Sequence, residues 1–190
     1  MGFATGNSSV HVLKLDVCDQ SSIDNAKAFV ESKVEDEGLN PIIYTVGFVQ
    51  RSNNYEASHD KMAKVTETNA IGPLMVVKSF LPLLKHAASV DQSAPMSCNR
   101  AAIMNIASSL GSTSENLSTG YHGHKASKAA QSRITTNMSL YLKNVGVLAT
   151  TIHPGWVNTN MGTIDTVTSV RGIMPVMEKL QGEEGTSKIN

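Results

Sequence analysis

Short apolar runs at residues 41–47, 101–107 and 147–153 alternate with long stretches of helical spacing, and nothing else in the chain limits its fold as much. Runs of this length suit buried strands. Residues 10–17 (V-H-V-L-K-L-D-V) alternate apolar and polar side chains and predict a further strand. Between the runs, Ser21 or Ser22 can cap a helix reaching about Glu37, with Ile23, Ala26, Phe29, Val30 and Val34 on one face. Residues 58–86 predict a long helical region that Pro73 and Pro82 kink or limit. A polar loop over 87–99 follows. Further helices are expected from Gly120 to about Asn144 and over 166–180, and the tail from Gln181 is expected to fray. Strands alternating with helices of ~10–20 residues give an α/β fold, a parallel sheet with helices on both faces.

The 190 residues fit one domain, 1–190, with a sizeable core. The 16 Lys+Arg balance the 16 Asp+Glu, so no charge excess draws the chain to nucleic acid or an anionic membrane. No apolar run approaches the ~20 residues of a membrane span. The start has neither the basic nor the apolar region of a secretory signal. Cys18 and Cys98 make no metal spacing and are expected as free thiols, which makes a cytoplasmic location the expectation.

Three segments carry chemistry: Asn105-Ile-Ala-Ser-Ser-Leu-Gly111, Gly120-Tyr-His-Gly-His-Lys-Ala-Ser-Lys-Ala-Ala130 and Ile152-His-Pro-Gly-Trp-Val-Asn-Thr159. Thr66-Glu-Thr-Asn69-Ala-Ile-Gly-Pro73 and Leu13-Lys-Leu-Asp16-Val17 precede them. The succession resembles the short-chain dehydrogenase/reductase family, and within it the C-factor/sniffer-like carbonyl reductases, over residues 8–180. That resemblance implies a Rossmann-like doubly wound sheet, NADP(H) as cofactor, and hydride transfer between NADPH and a carbonyl or alcohol. It also implies that Ser108, or Ser109 beside it, holds the substrate oxygen and that Asn69 fixes a water relaying protons. Asp16 and Val17 would contact adenine, with Gly47 also on the cofactor side. Pro154, Gly155 and Val157 would brace the nicotinamide, with Thr159 near its carboxamide or the pyrophosphate. The region around residues 83–86 and the 124–143 helix would form a dimer interface.

Such a reductase must protonate an alkoxide as hydride arrives, which takes an acid, a cation that lowers the acid's pKa, and a hydroxyl on the oxygen. Tyr and Lys four apart on a helix share a face, and the ammonium favours the phenolate over a phenol of pKa ~10. Two registers satisfy the pattern. One pairs Tyr121 with Lys125, thirteen residues after Ser108. The other reads Lys125-Ala-Ser-Lys128-Ala-Ala130 as the family's Arg-Ala-Ser-Lys-Ala-Ala, which makes Lys128 the lysine and places His124 at the tyrosine position. The second continues the family pattern without a gap and is preferred; the three-residue shift turns the pair about 60° around the helix. A histidine beside Lys128 is held neutral by like charge and donates a proton poorly. His122 and His124 could otherwise be solvent-facing residues at a helix start.

Two family features are missing. The phosphate-binding Gly-x-x-x-Gly-x-Gly is nowhere in the chain; Gly2 and Gly6 keep only its first interval. Without it a pyrophosphate lacks backbone donors and a helix dipole. Tyr44-Thr-Val-Gly47 stands where the family has Asn-Asn-Ala-Gly. Aligned on Asp16, the chain is short by the first two strands, and by the last one at the other end. This would detach the 10–16 segment and leave an apolar edge beside the 42–47 strand. The expectation is a truncated domain with impaired or no reductase activity, acting on a small carbonyl if active. The alternative is a non-catalytic protein that forms a homo-oligomer or pairs with a related chain through the 58–86 and 124–143 helices.

Overall fold

The computed structural model describes residues 10–50, 56–114, 119–157 and 164–180. Helix α1 is Gln20–Val34, strand β1 Ile42–Tyr44, α2 His59–Thr66, α3 Gly72–Val90, β2 Ala102–Ile106, α4 His122–Leu142, β3 Leu148–Ile152 and α5 Thr166–Lys179. The three strands form one parallel sheet in the order β1-β2-β3, with Ile43 opposite Met104, and Met104 opposite Thr150.

Alternation along β2 sends side chains to opposite faces. Ala101 and Ile103 pack with Val77, Leu84 and Ala88 of α3, Met138 and Leu142 of α4, and Ala149 of β3. Ala102 and Met104 pack on the other side with Leu148, Ile152 and Met177 of α5. Because both faces are covered, Ala102 to Asn105 are fully buried, as a central parallel strand requires. Helix α1 lays Ile23 and Ala26 against Val76, Phe80 and Leu83 of α3 and Tyr44 of β1.

Several boundaries differ from the sequence expectation. Residues 10–16 form no strand: Val12 is 77% exposed, Leu13 and Leu15 are partly exposed, and nothing among the described residues pairs with the outer edge of β1. Instead the Asp16 carboxylate accepts from the Cys18 amide in a turn. The cap of α1 is Asp19, whose carboxylate accepts from Ser21 N at 2.9 Å; Ser22 turns back to accept from Asp16 N. Helix α1 stops at Val34, and Gly38, at φ +72°, lets the chain pass within contact of the Leu83–Ala87 backbone, where a Cβ would lie 2.4 Å from Ala87 N.

The long helical region breaks at neither proline. A π-helical turn, Glu67–Ile71, separates α2 from α3; Pro73 sits in the first turn of α3 and Pro82 inside it. Helix α3 runs on to Val90, so the 87–99 loop starts later than expected. Both cysteines are free, Cys18 exposed and Cys98 buried. No helix among the described residues is long and apolar enough to cross a membrane, and no group of three or more His, Cys, Asp or Glu among them could hold a metal.

Candidate active site

Asn69 sits inside the π turn. An added residue per turn rotates the side chains after it, and such bulges recur at functional sites. The Asn69 side chain is fully buried. Its Oδ1 accepts from Phe48 N at 2.7 Å, and its Nδ2 donates to Phe48 O at 2.8 Å and to Ser127 Oγ at 2.9 Å. Ser127 in turn donates to the His124 carbonyl at 2.8 Å. The amide thus ties the segment after β1 to the first turns of α4, and both of its N–H groups are used.

Lys128 lies on the same side of α4. Its ammonium donates to the Ile106 carbonyl at the end of β2, 2.7 Å away, and to Gln131 Oε1 at 2.9 Å. Burial pulls its pKa down to about 8. A Cβ placed on Gly47 would stand 3.9 Å from Lys128 Nζ and 4.0 Å from Asn69 Oδ1, so the bare glycine backbone borders both groups. His124, one turn before Lys128, is also buried. Desolvation first, then the Lys128 charge, holds its pKa below the ordinary histidine value, against a hydrogen bond to the Phe48 backbone that raises it. Its neutral form therefore prevails at pH 7.

The structure draws His124, Lys128, Asn69 and Gly47 together, and His124 is not the solvent-facing residue that was the alternative. Tyr121 is the N-cap of α4 with a left-handed backbone (φ 54°, ψ 34°), and its carbonyl accepts from Lys125 N. Its side chain leaves from non-helical backbone, so the four-residue interval to Lys125 does not carry the shared helix face that the first register needs. Ser108 caps a short 3₁₀ turn, Ser109–Gly111, its Oγ accepting from Leu110 N at 3.3 Å. That turn presses on α4: a Cβ on Gly111 would fall 2.8 Å from the Lys128 carbonyl carbon.

The other expected cofactor contacts are each held by local packing. Val17 is buried against Gly72 and Tyr44, while Asp16 shapes the turn before α1. Pro154 O accepts from Ser169 Oγ at 2.7 Å, Gly155 has φ +79°, and Val157 bridges to Ile164, so this segment is stapled to the start of α5. Thr159 falls outside the described residues. Tyr44, standing for an asparagine of the family pattern, replaces an amide tether with a phenol one: its hydroxyl donates to Thr68 O in the π turn at 3.1 Å. Burial raises its pKa well above the ordinary phenol value.

Sequence reasoning missed Ser127, Phe48 and Gln131. Ser127 and Gln131 could have been found as polar positions on the His124–Lys128 face of α4. Phe48 contributes only backbone, which no side-chain pattern announces.

The short chain dehydrogenase family pattern matches residues 3–175. The chain belongs to the short-chain dehydrogenase family. C-signal of Myxococcus xanthus is 31% identical over 132 residues, which is 67% of this chain and 73% of that protein. Carbonyl reductase Sniffer of D. melanogaster superposes with a TM-score of 0.92 at 31% identity, over 95% of this chain and 75% of that one. An NADPH-bound carbonyl reductase from chicken fatty liver gives 0.83 at 32% identity, over 92% and 71%. In this chain Asn69, Ser127, His124 and Lys128 lie together in one buried cluster.

Two of the three ammonium hydrogens of Lys128 are taken by Ile106 O and Gln131. One donor remains beside the bare Gly47 backbone, which fits a ribose hydroxyl at the nicotinamide end of a dinucleotide. Gly2 and Gly6, the nearest match to a phosphate turn, lie outside the described residues.

Proposed function

We propose that this chain is a slow carbonyl reductase of the short-chain dehydrogenase type, with His124 at the acid position and NADP(H) as its cofactor. The observation that carries the proposal is the buried pairing of His124 and Lys128 one helical turn apart, with Asn69 bracing the same turn through Ser127. NADPH, when bound, supplies the hydride. Lys128 offers its third N–H to the ribose and keeps a positive charge near the reacting oxygen. Ser108, at the mouth of the turn packed on Lys128, holds the substrate oxygen, and Pro154, Gly155 and Val157 wall the nicotinamide side. His124 gives a proton to the developing alkoxide only in its imidazolium form, which burial and Lys128 keep scarce. Slow turnover follows, since a missing general acid lowers rates by ~10²–10⁴.

The test is titration of the purified chain with NADPH, followed by nicotinamide fluorescence, and then turnover of small carbonyls. Saturable binding in the micromolar range supports the proposal. No binding up to millimolar NADPH would overturn it.

One observation favours a second reading, pairing through the outer surfaces of α3 and α4. Leu140 and Tyr141 of α4 are 63% and 65% exposed, and the Lys85 ammonium of α3 lies 5.9 Å from the Tyr141 ring centroid. Exposed apolar side chains on α4 beside α3 suit a second copy or a related chain. Concentration-dependent association in sedimentation, lost in Tyr141→Asp, supports this reading; a monomer at all concentrations excludes it.

A further inference from the structure

We propose that Gln131 is a positioning residue for Lys128: its side-chain carbonyl holds the buried ammonium at the end of β2 and keeps it charged. Gln131 is 1% exposed, lies one turn after Lys128 on α4, and accepts from Nζ at 2.9 Å. The ammonium's other partner is a backbone carbonyl, Ile106 O, which no side-chain change can remove. Gln131 is therefore the side chain whose chemistry sets the Lys128 environment from the inner side.

The hydrogen bonding around Gln131 shows that it does not serve packing alone. Its Nε2 is buried without a partner, and so is Oδ1 of Asn105. These two atoms flank a chain in which Asn105 Nδ2 donates to Thr135 Oγ1 at 2.8 Å and Thr135 Oγ1 donates to the Gln131 backbone carbonyl at 2.8 Å. Turning the Gln131 amide over would set its N–H₂ against the ammonium, so the Lys128 contact fixes which way the amide faces. An orphaned donor in a core is unfavourable, and an apolar side chain of the same length would avoid it. The arrangement gives up that stability and keeps an acceptor on the lysine.

Among the described residues, these groups face Lys128. On α4 itself there is His124, whose interaction with the Lys128 charge is unfavourable when both are protonated. The π turn presents Asn69 and the segment after β1 presents Gly47, neither of which titrates. Among these groups Gln131 is the one whose replacement alters the ammonium with least disturbance to the rest.

The inference concerns Lys128 in the chain without cofactor, so it does not depend on the reductase reading. The experiment labels lysine with ¹³C, assigns Lys128 from the Lys128→Arg spectrum, and follows its ε-carbon shift against pH in the parent, Gln131→Met and Gln131→Glu. Loss of the acceptor in Gln131→Met is expected to weaken proton binding about tenfold, a fall of about one pH unit. The carboxylate of Gln131→Glu is expected to strengthen it by at least about as much. A Gln131→Met variant that titrates with or above the parent would overturn the proposal. Should that variant not fold, a Gln131→Glu titration that fails to rise overturns it equally. A residue that only fills space would leave the Gln131→Met titration on that of the parent.

Discussion

A buried ammonium makes folding stability depend on pH, and Lys128 gives that dependence a definite sign. Its folded pKa is about 8 against an ordinary value of 10.5, because burial disfavours the charged form. Between those values the unfolded chain binds a proton that the folded chain has released. Stability therefore rises with pH across the window, from a penalty carried in full below it. Integrating the two titrations from about pH 7 to about pH 9.5 gives a gain of roughly 2 kcal/mol. Two other groups act in the opposite direction. Cys98, its thiol pushed up by burial, loses stability as pH climbs through 9.0, and Tyr44 does so above 10.0. Comparison with Lys128→Met removes both, because the variant retains Cys98 and Tyr44. Urea unfolding at a series of pH values is expected to show the parent gaining about 2 kcal/mol on the variant over that window. The absolute difference at pH 7 matters less, since the variant leaves the Ile106 and Gln131 carbonyls without their donor. Parallel stability curves for the two proteins would refute the argument and place the Lys128 ammonium in water.

Restoring a phenol with His124→Tyr is expected to raise carbonyl turnover by about 10²–10⁴, measured as NADPH consumption at saturating substrate. In the parent, turnover should rise as pH falls toward and below the lowered pKa of His124, since the imidazolium is the donor; a flat profile would exclude that role. Asn69→Ala removes three hydrogen bonds and strands the Phe48 amide, and should lower unfolding free energy by about 2–4 kcal/mol in urea. Leu84→Ala empties a fully buried position between α3 and the sheet, at a loss of about 2–5 kcal/mol by the same assay.

The strands and helices that lie in the sheet's core were legible because their patterns are strong. Residues 101–107 and 147–153 fold within a residue or two of expectation, since a strand covered on both faces must be apolar throughout. Residues 10–17 carry an equally good alternating pattern and form no strand. Alternation describes a surface suited to a sheet but does not supply the neighbour whose N–H and C=O groups complete the ladder. The π turn was illegible for another reason. Thr66-Glu-Thr-Asn69 has the composition of an ordinary helix, and nothing in it announces the extra residue per turn.

At the site, the sequence left two registers open, and the difference between them lies in backbone conformation. Both have the four-residue interval. Only His124 and Lys128 are both inside the helix, because Tyr121 takes left-handed backbone at the cap before it. Spacing is a statement about side-chain direction only where the helix already exists. Burial then makes the pairing consequential. At a solvated helix start, a histidine and a lysine would each titrate near their ordinary values and scarcely sense one another. Here the same low-polarity surroundings depress both, and the Lys128 charge lowers His124 further. A phenol at position 124 would reverse that relation, since its ionised form is an anion that the ammonium stabilises. With imidazole there, the lysine charge disfavours the protonated form, the one that could donate a proton.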